Sequence, residues 1–142
     1  MESKLYNALL VNTIMKTIHQ KVKFHASPHE VYELLMDSKK HSEITESPAN
    51  INKKVGGTFS AYDGWIEGEH IELIKDKKIV QKWRGADWPS GIYSEVTFLL
   101  KKVSDGCTME FTQRGVPNEF YEDIKKGWEE YYWKKMKEYF KK

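Results

Sequence analysis

The chain has 142 residues, of which 39% are hydrophobic, 31% charged and 13% aromatic. This length fits one domain, which can bury roughly two-thirds of its unfolded surface and needs no metal or disulfide to fold. The composition excludes a disordered chain. The longest apolar run, from Ala8 to Val11, is far too short for a membrane span or a secretory signal.

Charge and cysteine content narrow the class of protein further. The 23 basic and 21 acidic residues leave a net charge of +2, and only Arg84 and Arg114 are arginines. Lysines and acidic residues alternate along the chain as on a solvated surface, so we expect no nucleic-acid partner and no membrane partner. Because Cys107 is the single cysteine, no internal disulfide can form, which predicts a cytoplasmic location.

The first part of the chain predicts a strand followed by two short helices. Residues 1–12 carry mixed signals and fit either a short helix or a loose arm. Residues 13–24 predict a half-buried strand, because their apolar side chains share one parity. Residues 27–30, Ser-Pro-His-Glu, form a capping-box signal that opens a helix. Asp37 and Ser38 predict a second cap before a helix near residues 39–45, which Pro48 ends.

Hairpin signals dominate the middle of the chain. Turn residues at hairpin-like intervals separate runs that are rich in aromatic and β-branched residues. The predicted strands are residues 58–62, 65–74, 78–84, 92–103 and 107–114. Five consecutive strands joined by short turns predict an antiparallel meander.

The last element is predicted as one long helix over residues 118–141, with Asn118 as its cap. Its apolar side chains recur every three or four residues, at Tyr121, Ile124, Trp128, Tyr131, Tyr132, Met136 and Tyr139. A strand, two short helices, a five-stranded meander and a long helix across the concave sheet make an α+β, helix-grip arrangement in a single domain of residues 1–142. The space between sheet and helix is the natural place for a cavity.

Several short motifs resemble one known family. They are residues 56–59 (GGTF), 81–84 (QKWR), 88–93 (WPSGIY), 113–117 (QRGVP) and 127–133 (GWEEYYW), in that order. Together they resemble the C-terminal domain of the activator of Hsp90 ATPase family (AHSA1-like), within the START/Bet v 1-like superfamily, over roughly residues 14–140. The resemblance implies the helix-grip fold and a link to an Hsp90-type chaperone and the stress response. In the eukaryotic co-chaperone a separate N-terminal domain carries the lysine-rich motif that drives ATPase stimulation, so we expect this domain alone not to stimulate strongly.

Aromatic and amide side chains on the predicted inner faces are the candidates for a ligand cavity. Gln81 and Gln113 lie on the apolar parity of their strands, where a buried amide needs partners; either they bond one another or a water, or they line the polar end of a cavity. The other residues of this set form either a packed core or a cavity wall. The full candidate set is Phe59, Trp65, Gln81, Trp83, Phe98, Met109, Phe111, Gln113, Ile124, Trp128, Tyr131 and Tyr132.

Arg84, Trp88 and Arg114 are the candidates for a partner-binding surface, since arginine and tryptophan are preferred at binding hot spots. The alternatives are an ion pair of either arginine with Glu95 or Glu110, and a Trp88 tucked under its loop. No motif for nucleophilic catalysis, metal binding or phosphate binding is present, so we expect no enzyme activity, no metal and no cofactor. The sequence therefore predicts a protein-interaction domain or a carrier of a small hydrophobic ligand.

Overall fold

The computed structural model describes residues 15–141, so the expectation for residues 1–12 lies outside the described part. Seven strands form one antiparallel sheet in the order β1-β7-β6-β5-β4-β3-β2. The strands are β1 Met15–Phe24, β2 Asn50–Ile51, β3 Thr58–Ala61, β4 Ile66–Ile74, β5 Lys78–Gly85, β6 Ser94–Val103 and β7 Gly106–Pro117. The expected strand, helices, meander and long helix appear in that order, which confirms the helix-grip fold.

The sheet has one strand that the sequence did not predict. Strands β3 to β7 are the predicted meander, and β1 pairs with β7 to extend it. The additional strand, β2, pairs with β3 through Asn50 and Ile51. Two residues are too few to show the alternation by which a strand is recognised in sequence.

Two short helices connect β1 to β2, and their caps form as expected. In α1, Pro28–Met36, the backbone N–H of Glu30 donates to Ser27 Oγ at 3.1 Å, and the backbone N–H of Ser27 donates to Glu30 Oε1 at 2.9 Å. In α2, Ser38–Thr45, the backbone N–H of Lys40 donates to Asp37 Oδ2 at 2.9 Å. Both helices therefore begin where the sequence places polar side chains that accept from free N–H groups.

The C-terminal helix, residues 118–140, is not the uninterrupted α-helix that was predicted. A 3₁₀ turn, Asn118–Phe120, leads into α3, Tyr121–Trp128; a π-helical turn, Glu129–Trp133, follows, and α4, Lys134–Phe140, ends the helix. No side-chain cap forms at Asn118, so that expectation was wrong.

The π-turn follows from the spacing of the buried residues. Ile124, Trp128, Tyr132 and Met136 are all buried and lie four residues apart. Four α-helical residues turn about 40° more than a full circle, so a run of such steps drifts around the helix. A π-turn has more residues per turn than an α-helical turn, so it compensates for this drift and keeps the buried residues on one side of the helix.

The wider turn changes which residues face the sheet. Trp133 is fully buried, and its ring stacks on that of Trp128, with 5.3 Å between centroids and 17° between planes. Tyr131, predicted on the apolar stripe, is 55% exposed instead, and Tyr139 is also exposed. The core lies where the helix crosses the sheet, since the ring centroid of Trp128 is 4.5 Å from that of Phe111 and 5.6 Å from that of Trp83. None of the helices within residues 15–141 is long and apolar enough to cross a membrane.

Candidate functional site

An apolar cleft of about 500 Å³ opens between the sheet and the C-terminal helix. We call it the aromatic cleft. Its walls come from the β3–β4 turn, the first residue of β4, the inner face of β5 and one side of the helix. The lining residues are Tyr62, Trp65, Ile66, Trp83, Asp123, Ile124, Gly127, Trp128, Tyr131 and Tyr132.

Two tryptophans form the sheet side of the aromatic cleft. Trp83 is 3% exposed and points inward, because it shares strand parity with the buried Ile79 and Gln81. Trp65 lies just before β4 and is 40% exposed, so it forms the outer rim. The two rings meet edge to face at 73°, with 6.5 Å between their centroids. This corner is apolar inside and open to solvent outside.

The helix side of the aromatic cleft has a gap at Gly127. Ile124 and Trp128 are buried against the sheet, and Gly127 lies between them. A Cβ atom on Gly127 would meet only Cδ2 of Tyr131, at 3.7 Å, which is an ordinary contact. The chain therefore has a glycine in a helix interior, where it costs about 1 kcal/mol relative to alanine, although no neighbouring atom excludes a side chain there.

A turn with left-handed backbone closes one end of the aromatic cleft. Tyr62 and Asp63 have φ values of 50° and 56°, which is unusual for a bulky residue such as tyrosine. The Tyr62 hydroxyl donates to the backbone carbonyl of Tyr131 at 2.7 Å, so it ties the turn to the π-turn of the helix. Burial raises the pKa of Tyr62 to about 12, so this donor stays protonated in mildly alkaline solution as well as at neutral pH.

A second, much smaller cavity of about 20 Å³ lies deeper, behind Trp83, Trp128 and Tyr132, which also line the aromatic cleft. Its polar groups include Gln81, His41 and Ser60. That volume is enough for about one water molecule. Within the described residues the Gln81 side chain makes no hydrogen bond, so its amide belongs to this inner cavity and not to a paired network.

Two buried polar contacts connect the elements around these cavities. Gln113 Nε2 donates to Ser94 Oγ at 2.9 Å, and Trp128 Nε1 donates to Gln113 Oε1 at 2.7 Å, so the amide bridges β6 to the helix. Gln113 thus pairs with these two groups and not with Gln81. His41 Nε2 and the Tyr132 hydroxyl lie 2.8 Å apart, which joins α2 to the helix.

Two histidines, His41 and His70, are buried on the inner side of the fold. Desolvation lowers the pKa of His41 and of His70 below the ordinary value of 6.5. His70 stacks on Phe59, with 5.2 Å between centroids, and neither of its ring nitrogens has a hydrogen-bond partner in the part of the chain that the structure describes. Among residues 15–141 no group of three His, Cys, Asp or Glu side chains is placed to hold a metal ion.

The candidate cavity residues fall into three groups in the structure. Trp65, Trp83, Ile124, Trp128, Tyr131 and Tyr132 line the aromatic cleft. Phe59, Gln81 and Phe98 line the inner cavity. Met109, Phe111 and Gln113 are buried and line neither cavity. The ring of Phe111 packs against those of Trp128 and Trp133, and Gln113 is hydrogen-bonded to Trp128.

The partner-surface candidates do not share one surface. Trp88 is 3% exposed: its ring stacks on Phe120 and meets that of Trp83 at 5.4 Å, so it is tucked under its loop and cannot contact a partner directly. The Arg84 side chain is 15% exposed and donates to the Trp88 carbonyl and to Glu67, so it braces the same loop. Its ion pair is with Glu67, and not with Glu95 or Glu110 as the sequence suggested. Arg114 is exposed on the outer face of β7, opposite Glu95 of β6.

Four lining residues were absent from the sequence candidates: Tyr62, Ile66, Asp123 and Gly127. The Asp63-Gly64 turn signal, directly after Tyr62, could have marked that residue as lying at a hairpin end. A glycine inside a strongly periodic helix could have marked Gly127. Asp123 and Ile66 carry no comparable signal in the sequence.

Comparison with known proteins supplies relatives for most of the chain. The human activator of 90 kDa heat shock protein ATPase homolog 1 is 31% identical over 120 residues, which is 84% of this chain and 36% of that protein. A homologous activator from Dictyostelium discoideum is 33% identical over 114 residues, 80% of this chain and 30% of the relative. The chain therefore spans about a third of the length of these curated relatives.

Solved structures agree with the sequence relatives. An Hsp90 activator from Plasmodium falciparum superposes with a TM-score of 0.74 at 29% identity, covering 79% of this chain and 86% of that one. A Mesorhizobium loti protein superposes with a TM-score of 0.75 at 19% identity, covering 87% of this chain and 95% of that one, which is a likeness of fold.

Residues 25–141 match the family described as activator of Hsp90 ATPase homolog 1-like protein. With most of its length matched, the chain belongs to this family.

Proposed function

We propose that this domain is a non-enzymatic interaction module that binds an Hsp90-type chaperone. The observation that supports this proposal is the family match over residues 25–141, together with relatives named as activators of the heat shock protein ATPase. Because the chain corresponds to about a third of each relative's length, we assign chaperone binding to it and not the full stimulation of the ATPase. In this reading the domain acts in the cytoplasm.

The test is to titrate the 142-residue chain against a purified Hsp90 by calorimetry and to follow the chaperone's ATPase in parallel. We expect binding with less than a several-fold change in the ATPase rate. Absence of binding would refute the chaperone proposal, and a several-fold stimulation by this chain alone would refute the assignment of binding without stimulation.

Arg114 is the one partner-surface candidate whose side chain is free to reach a partner. We expect Arg114→Glu to weaken chaperone binding several-fold, because arginine is a preferred contact residue at interfaces. Lys101→Glu is the matched control, since Lys101 is exposed on the neighbouring strand β6. Equal affinities of the two variants would place the binding surface elsewhere.

A second candidate function is supported by the aromatic cleft, which suits a small hydrophobic ligand. Its volume of about 500 Å³ lies within the range of roughly 300–1,000 Å³ that is usual for small-molecule sites. An apolar dye titrated into the protein should change the tryptophan emission, and Trp65→Ala should weaken the change because this indole forms the outer rim. No change with any apolar probe would exclude this candidate and leave the chaperone proposal untouched.

A further inference from the structure

Aromatic rings form most of the lining of the aromatic cleft; three of their pairs meet at steep angles, and two, Trp83–Trp128 and Trp128–Tyr132, are tilted by 40° and 39°. Six of its ten lining residues are aromatic. The ring of Tyr62 meets that of Tyr131 at 68° and that of Tyr132 at 80°, and Trp65 meets Trp83 at 73°. Rings at such angles enclose a space on several sides, whereas stacked rings would fill it. Tryptophan and tyrosine faces attract cations through the ring quadrupole, and enclosures of such rings are used to recognise substituted ammonium groups.

The charge of the residues that line the aromatic cleft also favours a cationic ligand. Among residues 15–141, Asp123 is the only charged side chain that lines the aromatic cleft, and no lysine or arginine of this part of the chain contributes to the lining. Asp63 is exposed in the turn between the lining residues Tyr62 and Trp65, so a second carboxylate lies on this turn. A carboxylate on the rim attracts a cation and repels an anionic head group such as that of a fatty acid.

The lysines of residues 15–141 that lie over aromatic rings cover Tyr93 and Tyr121 and not the rings of the aromatic cleft. Lys16 and Lys125 place their ammonium groups 4.8 Å and 5.6 Å from the ring centroid of Tyr121. Lys82 lies 4.7 Å from the ring centroid of Tyr93. Within the described residues no cation of the chain lies over a ring of the aromatic cleft. Within residues 15–141 the rings of the aromatic cleft therefore contact one another but no cation.

We propose that the aromatic cleft binds an organic cation: a substituted ammonium group carried on an apolar body. The inference rests on the small-ligand function proposed above and names its ligand class. The ammonium lies against the rings near Asp123. The apolar body fills the remaining space, which the missing side chain at Gly127 keeps open.

The test compares two probes of the same shape, phenyltrimethylammonium and its uncharged isostere tert-butylbenzene. Binding is followed by tryptophan emission and by the indole N–H signals in NMR spectra. We expect the cation to bind roughly tenfold tighter than the isostere, a ratio typical of cation–π contacts. Trp65→Leu should reduce this ratio, because it replaces a ring by an aliphatic side chain of the rim.

Asp123→Asn tests the carboxylate separately. It should weaken cation binding about threefold, as expected for an exposed charge, and leave isostere binding unchanged. Glu122→Gln is the matched control, because Glu122 is the exposed neighbour of Asp123 and does not line the aromatic cleft. Urea unfolding of each variant checks that the fold is retained.

The outcomes separate this inference from the function on which it rests. If the isostere, or the anionic dye anilinonaphthalene sulfonate, binds as tightly as the cation, the cation inference is refuted and the small-ligand function stands. If no probe binds, both are refuted. If the cation is preferred but Asp123→Asn and Glu122→Gln behave alike, the assignment of Asp123 is refuted.

Discussion

At the scale of single residues, the two inner glutamines have opposite surroundings. Gln113 is fully buried, and its amide accepts from Trp128 and donates to Ser94. Gln81 lies two strands away on the same face, beside a cavity large enough for about one water, without a hydrogen-bond partner in the described chain. The same substitution at these two positions therefore tests how much each amide contributes to the stability of the fold.

We expect Gln113→Leu to lower the free energy of unfolding by about 1–3 kcal/mol, because it leaves the Trp128 N–H buried without an acceptor. Gln81→Leu is the matched control and should change it by less than about 0.5 kcal/mol, since no protein group loses a partner. Urea unfolding with tryptophan and far-ultraviolet detection measures both. Equal losses in the two variants would show that Gln81 is paired through ordered water.

The buried histidines make stability depend on pH. Desolvation lowers the pKa of His41 and of His70 in the folded state, whereas in the unfolded chain each titrates near 6.5. Below that pH the unfolded chain binds more protons than the folded one, so stability falls as the pH decreases. Each histidine that stays neutral contributes a slope of up to about 1.4 kcal/mol per pH unit.

His70→Phe should reduce this acid sensitivity without loss of stability at pH 7.5. The phenyl ring can keep the stacking on Phe59, and the substitution removes no hydrogen bond to the His70 ring nitrogens from any described residue. Urea midpoints at pH 7.5 and 5.5 measure the effect, with His19→Gln on the exposed face of β1 as the control. An unchanged acid sensitivity in His70→Phe would mean that folding does not lower the pKa of His70.

At the scale of elements, the C-terminal helix combines a π-turn with an interior glycine. We expect Gly127→Ala to raise the free energy of unfolding by about 0.5–1 kcal/mol, because alanine loses less backbone freedom in a helix. The new methyl group has room, since its nearest neighbour would be Cδ2 of Tyr131 at 3.7 Å.

Thermal unfolding measures this change, and Lys126→Ala, on the exposed neighbour, is the control with little expected effect. The same Gly127→Ala protein should bind apolar probes more weakly, because the methyl group projects into the aromatic cleft. A lower melting temperature of Gly127→Ala would show that the fold itself requires glycine at this position, and not that the glycine serves to keep the aromatic cleft open.

The sequence predicts most elements of this fold but not the details of the helix. Strand alternation and turn residues suffice for the meander, and the capping box suffices for α1. Trp133 was missed because a helix drawn with α-helical spacing turns it away from the sheet, and only the π-turn brings it inward. The partner of Gln113, Trp128, comes from the C-terminal helix, and a long-range side-chain bond leaves no periodic signal in either segment.

The aromatic cleft was predicted only in part for a similar reason. Trp83, Trp128 and Tyr132 are recognisable as inward positions of a strand and of the helix. The contributions of Tyr62 and Gly127 depend on a left-handed turn and on an absent side chain, which a hydrophobic pattern does not report. Trp88 could not be assigned from its turn position, and its burial follows from the stacking on Phe120.

At the scale of the whole molecule, Trp128 is the main contact between helix and sheet. We expect Trp128→Ala to lower the free energy of unfolding by about 3–5 kcal/mol, the usual cost of truncating a buried large aromatic residue. Tyr131→Ala, three residues later and 55% exposed, is the control and should cost much less. An unchanged urea midpoint in Trp128→Ala would mean that a different side of the helix contacts the sheet.

All five tryptophans of the chain belong to one connected series of ring contacts. Trp65 touches Trp83, Trp83 touches Trp88 and Trp128, and Trp128 stacks on Trp133. The series runs from the solvent-exposed rim along the inner face of the sheet to Trp133, which is buried between the helix and the sheet. The near-ultraviolet circular dichroism of these tryptophans therefore reports how closely the helix packs against the sheet. A form in which the helix loosens while the strands stay paired would lose this signal but keep its far-ultraviolet spectrum.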